Sequence, residues 1–358
     1  MDGIHPAGSA PPRGRIICQR ADGLGGRLLT LLWTLRLARK VDASVLMFWP
    51  KLELFYDNVT AAGDIFDLYR LASPPFRDRL QIVDGECRRF LRPNEVMLEK
   101  GKAHDPRAFV TPVDADPWKH PLPVIVGHWD GPLLMAEEVE REVLAEIPSI
   151  FAELPIRRDL KRAVNTIAKA HGLHKMVAVH IRRGEIVRNL RVAIAGCRRD
   201  EPESHELLKD RAGTFARRCM SLENFADRLH RFVDEGRTIL VFSDEPGIHQ
   251  ELARLLDTPN VIPVASLVTG EFTAMQQAFI EACLMSRCSC IVGARSAYGR
   301  LANVIGGNRR ISMAKRSRTV EDCAALAFES VSEALLSHSD KALVEQLIHD
   351  GIVRMWEP

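Results

Sequence analysis

"VAVHIRRGEIV", residues 177–187, reads as a buried strand that runs into two arginines, a glycine and a glutamate. A continuous apolar run bounded by polar residues suits a parallel strand covered on both faces. Neighbouring side chains at a strand end point to opposite sides, so Arg182 and Arg183 cannot both decorate one face. Two readings fit. In one, the strand simply meets solvent and its arginines pair with glutamates. In the other, guanidinium forks wait for phosphate oxygens, each charge-assisted bond contributing about 1.5–3 kcal/mol. Gly184 allows a tight turn and close approach of a ligand in either case.

Outward from this strand, short apolar runs alternate with amphipathic helices, which predicts an α/β fold with parallel strands. "RIICQR" (15–20) is a predicted strand, "GLGGRLLTLLWTLRLARKV" (23–41) a glycine turn and helix, and "ASVLMFW" (43–49) the next strand. In that helix Leu28, Leu31, Leu32 and Leu35 take the buried spacing, and Arg36, Arg39 and Lys40 lie toward the cation-favouring end. "PLPVIVGHWDG" (121–131) reads as a strand and loop. A helix over 157–170 ends at Gly172, and a second series starts at "KMVAVHI". There "SLENFADRLHRFVDEG" is a helix with Ser221 as N-cap, and "TILVFSDEP" and "SCIVGA" are strands, with a helix after Ser296. The charged segment 188–218 reads as a disordered insertion or a mobile loop. With 358 residues, two domains are expected. In doubly wound sheets ligands bind beyond the carboxyl ends of strands. His180 to Glu185, Ser243 to Glu245 and Arg295 to Tyr298 all fall at such ends.

Composition narrows the function. A formal charge of +2 argues against a nucleic-acid coat or a polybasic membrane arm. No apolar run approaches the roughly 18–20 residues of a membrane span, and the first residues lack a signal-peptide core. Residues 1–14 read as a disordered lead-in. Eight cysteines at irregular spacing look like reduced thiols, which points to a cytoplasmic protein. Cys288 and Cys290 stand too close together, and without a second pair, for a zinc site. The sequon Asn58-Val59-Thr60 carries no weight without a secretory route. Oligomeric state is not legible.

Four further segments carry polar chemistry. "RADGLGGRLL" (20–29) matches neither G-x-G-x-x-G nor a P-loop, but its glycines feed a helix start that can hold an anion or be a plain turn. "GARSAYGRLA" (293–302) places Ser296 as an N-cap before Ala297 and Tyr298, at another potential phosphate site. "VFSDEP" (241–246) offers Ser243, Asp244 and Glu245 to sugar or ribose hydroxyls, or as a helix cap, the cap being the simpler reading. Glu281 lies at the edge of an apolar helix face. It suits a salt bridge, or the paired donors of guanine. Asp114-Ala115-Asp116 has the D-x-D spacing of metal-dependent sugar transferases, in a loop between prolines.

Taken together the motifs resemble the GDP-fucose-dependent fucosyltransferases, the superfamily of α-1,2, α-1,6, nodulation-factor and protein O-fucosyltransferases. The family's glycine turn is similar to "DGLGGRLL", its "GYWQS-like" segment to "GHWDG", and its H-x-R-R-G-D motif to "HIRRGE" followed by "SLENF". Its "FSDD" is similar to "FSDE", and its last motifs to "EACLMSRC" and "RSAYGRLA". The order is kept over about residues 15–305. Departures are Glu185 for the motif aspartate, Gly26-Arg27 for Asn-Gln and Arg300-Leu301 for the tryptophan pair.

The resemblance implies a GT-B fold: two Rossmann-like domains facing a central cleft. It implies an acceptor domain over 15–172, a donor domain over 173–322 and a helical tail over 323–358. It implies an inverting, metal-independent glycosyltransferase moving L-fucose from GDP-fucose to a hydroxyl of a glycan or lipo-oligosaccharide. Arg182 would neutralise the departing diphosphate, with His180, Arg183, Ser243 and Asp244 beside it. Gly23 and Gly25 would approach the diphosphate, Ser296, Ala297 and Tyr298 would hold phosphate or ribose, and Glu281 would read guanine. His128, Trp129 and Asp130 would face the acceptor. Glu185, Asp130 and His128 are candidate bases. The alternatives are a non-catalytic nucleotide-sugar-binding protein and a GT-B enzyme with another nucleotide sugar.

Overall fold

A computed structural model describes residues 14–20, 23–50, 61–85, 95–96, 105–115, 122–125, 137–293, 296–307, 309–312 and 319–354. The chain forms two compact units, and each is discontinuous. The first takes Met1–Gly172, Val268–Arg287 and Ala297–Asn308. The second takes Leu173–Leu267, Cys288–Ser296 and Arg309–Pro358.

In the first unit, β1 (Gly14–Gln19), α1 (Leu24–Lys40) and β2 (Ser44–Pro50) form the expected βαβ element. Single-turn helices α2 (Leu68–Leu71) and α3 (Phe76–Arg79) lead to β3 (Leu80–Gly85). Short strands β4 (Glu95–Val96), β5 (Val110–Pro112) and β6 (Val124–Ile125) follow, then α4 (Glu137–Glu153) and α5 (Arg158–His171). Gly172 ends α5 in the left-handed conformation, φ 59°, as its lack of a Cβ permits. The strands order as β3-β2-β1-β6-β4, all parallel, with β5 antiparallel against β1. Order reverses on either side of β1, so the crevice of this sheet opens at the glycine turn after Gln19.

The second unit begins with β7 (Val177–Ile181), α6 (Gly184–Gly196), α7 (Pro202–Arg218), α8 (Leu222–Asp234), β8 (Ile239–Ser243), α9 (Ile248–Leu255) and β9 (Val261–Pro263). The chain then places α10 (Ala274–Met285) in the first unit, β10 (Cys290–Gly293) in the second and α11 (Ala297–Gly306) in the first. It ends in the second with β11 (Arg309–Ser312), α12 (Val320–Ser330), α13 (Ser332–Leu336) and α14 (Lys341–Val353). This sheet orders β11-β10-β7-β8-β9 and is wholly parallel. All five residues of β7 are buried, as the apolar run predicts. Val177, Val179 and Ile181 pack on Leu222, Phe225 and Leu229 of α8 and on Leu252 of α9. Burying each such side chain contributes about 1.5–3 kcal/mol.

Two expectations change. Most of 188–218 is helical, in α6 and α7, not a disordered insertion or a mobile loop. Ile186, Leu190, Ile194, Leu208, Ala212 and Phe215 bury together with Cys323, Ala327, Val344 and Ile348 of the last helices. The arginines that suggested disorder (Arg188, Arg191, Arg198, Arg199) form the solvated face. Nor is α1 simply amphipathic. It is buried nearly all round, with Arg27 and Arg36 2% and 3% exposed and Leu35 only half-buried. Arg36 stacks over Trp33 and binds Glu146 at 2.6 Å and Glu142 at 3.2 Å, so its charge is matched where it is buried.

Candidate functional site

In the second unit the strand order reverses between β7 and β10, which makes their carboxyl ends the switch point of the sheet. His180 pairs across to Gly293 and Ile181 to Ser243. The register therefore brings the ends of β7, β8 and β10 level. A Cβ on Gly293 would stand 3.2 Å from both the Cβ and the carbonyl oxygen of His180, so the glycine lets the two strands' ends sit close. His180, 6% exposed, shares a hydrogen bond of 3.1 Å between Nδ1 and the hydroxyl of Ser296. Ser296 immediately precedes α11.

The arginine turn is held by carboxylates. Asp244 Oδ1 accepts from the backbone N–H groups of Arg183 (3.3 Å) and Gly184 (3.1 Å), and Oδ2 from that of Glu185 (2.7 Å). These are donors that the start of α6 leaves unsatisfied, so Asp244 caps a helix. The helix is the one that follows Arg183, not the one after β8. A Cβ at Gly184 would lie 2.9 Å from the Asp244 carbonyl oxygen, which explains the glycine. Arg183 donates Nε and Nη2 to Glu245 at 3.0 and 3.1 Å, a bidentate pair. Arg182 donates Nη2 to Glu185 at 2.5 Å. The hydroxyl of Ser243 accepts from the N–H of Glu245 at 3.1 Å, tightening the same turn. Glu245, read from the sequence as a hydroxyl partner or cap, is instead the carboxylate on Arg183, as in the reading that pairs the arginines with glutamates. Its signal was its place in the same acidic run as Asp244.

The first unit gathers the others. Gly23 precedes α1, and its carbonyl accepts from the N–H groups of Gly26 and Arg27 at 3.0 and 3.2 Å. A Cβ on Gly25 would fall 2.6–2.7 Å from the backbone of Ala297 and Tyr298. The first turns of α1 and α11 therefore meet backbone to backbone, and neither carries an acidic residue in its first turn. Two positive helix ends are brought side by side. Tyr298 donates its hydroxyl to the carbonyl of Ala278 at 2.6 Å, tying α11 to α10. One turn along α10, Glu281 accepts from the Gln277 amide at 3.0 Å, in place of the expected salt bridge. Burial raises the Glu281 carboxyl above its ordinary range. Burial, and then the nearby Glu281 charge, push the Tyr298 phenol well up.

His128, Trp129 and Asp130 lie outside the described residues, as do Asp116, Arg295, Asn58 and Thr60. Asp114 follows β5 in a turn closed by Ala115 N–H to the Pro112 carbonyl at 3.2 Å. Among the described residues no group of three or more His, Cys, Asp or Glu is arranged to hold a metal.

No family profile matches the sequence, and no curated protein matches it. Solved fucosyltransferases resemble it. One is the NodZ α-1,6-fucosyltransferase soaked with GDP-fucose, at 12% identity and TM-score 0.44, over 82% of this chain and 92% of that one. Another is the NodZ fucosyltransferase from Bradyrhizobium, at 14% identity and TM-score 0.46, over 86% and 97%. POFUT1 in complex with GDP-fucose overlaps 86% of this chain and all 100% of its own, at 13% identity and TM-score 0.45. At this identity and these TM-scores, the fold and the site rest on the chain's own strand order and contacts.

Proposed function

We propose that this chain is a glycosyltransferase that moves L-fucose from GDP-fucose to a hydroxyl of a glycan or lipo-oligosaccharide, with inversion. The observation that carries the reading is the arginine turn at the switch point of the parallel sheet in the second unit, carrying the H-x-R-R-G and F-S-D-E motifs of the family resemblance. In the reaction the bond between fucose C1 and the β-phosphate oxygen breaks with its electrons going to GDP. The acceptor oxygen attacks C1 from the opposite face and passes its proton to a base, for which Glu185, Asp130 and His128 are the candidates. Arg182 neutralises the charge growing on the β-phosphate, and guanidinium charge replaces a divalent cation in that role. Ser296, fixed by His180, donates to the same phosphate region. Glu281 accepts from the N1 and N2 hydrogens of guanine, and the paired helix ends at Gly23, Gly25, Ala297 and Tyr298 favour negative charge.

Thermal shift tests the donor. GDP or GDP-fucose at 100 times its Kd should stabilise the protein by about 2.7 kcal/mol, whereas UDP and ADP should do nothing. A shift with UDP and none with GDP would assign another nucleotide sugar. Release of GDP on adding glycan acceptors separates enzyme from binder. R182K keeps the charge but loses the fork, and should slow that release by at least about tenfold.

A further inference from the structure

The arginine turn is already supplied with anions. Two guanidinium groups, of Arg182 and Arg183, stand against three carboxylates, of Glu185, Asp244 and Glu245. A phosphate oxygen approaching Arg182 competes with the carboxylate already bound to it. The three carboxylates hold different groups. Asp244 is fixed by three backbone N–H groups, and Glu245 by a two-point fork from another strand end. Glu185 reaches Arg182 through Nη2, three residues back on the same turn. Glu185 is thus the carboxylate seated on Arg182 itself, whereas Asp244 holds the backbone of the turn and Glu245 holds Arg183. The pair is mostly shielded, with side-chain exposures of 24% for Arg182 and 14% for Glu185. An arginine so placed is costly to leave without an anion.

We propose that Glu185 fills, in the ligand-free protein, the place on Arg182 that a phosphate oxygen takes in the bound one. Anion binding at the turn is then an exchange of an internal carboxylate for an external phosphate, and Glu185 sets its affinity. The proposal rests on the nucleotide-sugar reading only in naming the diphosphate of the donor as the external anion.

Calorimetric titration with inorganic pyrophosphate, and separately with GDP, tests it on wild type, E185Q, R182A and the R182A/E185Q double variant. E185Q should bind pyrophosphate about tenfold tighter, an increment typical of releasing one partly buried ion pair. The gain should vanish in the double variant. Equal or weaker binding by E185Q, or a gain that survives loss of Arg182, overturns the exchange. E185D keeps the charge, shortens its reach by a methylene and serves if E185Q folds poorly. A smaller gain is expected, and no gain overturns the proposal. Should pyrophosphate respond as expected while GDP binds to no variant, the exchange stands and the nucleotide-sugar reading fails. Should GDP bind with no response of either ligand to Glu185, the reverse holds.

Discussion

At the scale of single residues, the close contacts define what each position tolerates. In D244N one carboxylate oxygen becomes a donor facing backbone N–H groups. It should cost about 1–2 kcal/mol in urea unfolding, the scale of a lost helix cap. The amides of Arg183, Gly184 and Glu185 should lose hydrogen-exchange protection with it. G25A drives a methyl into the backbone of Ala297 and Tyr298 and should destabilise by about 1–3 kcal/mol. Glu281 adds a pH signature. Its carboxyl titrates higher in the folded than in the unfolded chain, so its contribution to stability is present at acid pH, below the ordinary value of 4.5. It is lost as pH rises through the folded value. E281Q should remove that slope, gaining on wild type as pH rises above 4.5, as read by denaturant midpoints at each pH. The same variant should lower affinity for GDP more than for pyrophosphate.

At the scale of elements, the helices α6 and α7 make the sharpest stability prediction. Leu190 and Phe215 are 0% and 1% exposed in a core shared with α12 and α14. L190A and F215A should each cost about 2–5 kcal/mol, measured by chemical denaturation. Substituting the exposed Arg199, which pairs with Asp340, should cost less than about 1 kcal/mol. The elements most legible in the sequence were those whose own residues decide them. The apolar run of β7, the glycine that ends α5 and the serine before α11 could each be read locally. Those that were not legible depend on distant partners. The apolar face of α6 and α7 is spaced regularly, but dense charge on the other side hid it, and its partner helices come far later in the chain. Likewise Asp244 was readable as a cap, but the helix it caps follows a different strand. Glu281 suggested a salt bridge because the Gln277 amide, one turn away on the same helix, has no charge to announce it.

At the scale of the whole molecule, the cysteines give a simple global probe. Seven of the eight are described, all free and buried. Desolvation pushes Cys18, Cys283 and Cys288 up to about 12. A thiol reagent should leave these three unmodified in the native protein at neutral pH and label them together on unfolding. Within the described residues no helix is long and apolar enough to cross a membrane. Both units are also assembled from separated pieces of chain. The sheet of the first is complete before Gly172, but α10 and α11 join it only after β9 has been made.

The close backbone contact of α7 and α14 carries this furthest. A Cβ on Gly351 would stand 2.3 Å from the carbonyl oxygen of Lys209, so only a glycine lets the two helices pack this closely. As the chain is synthesised, α6 and α7 are made early, with their apolar faces bare until Val320–Val353 has followed. In the interval every residue from α8 to β11 must wait beside an exposed hydrophobic surface. The yield of this chain in cells should therefore respond to chaperone supply, as read by the soluble fraction with and without added chaperones.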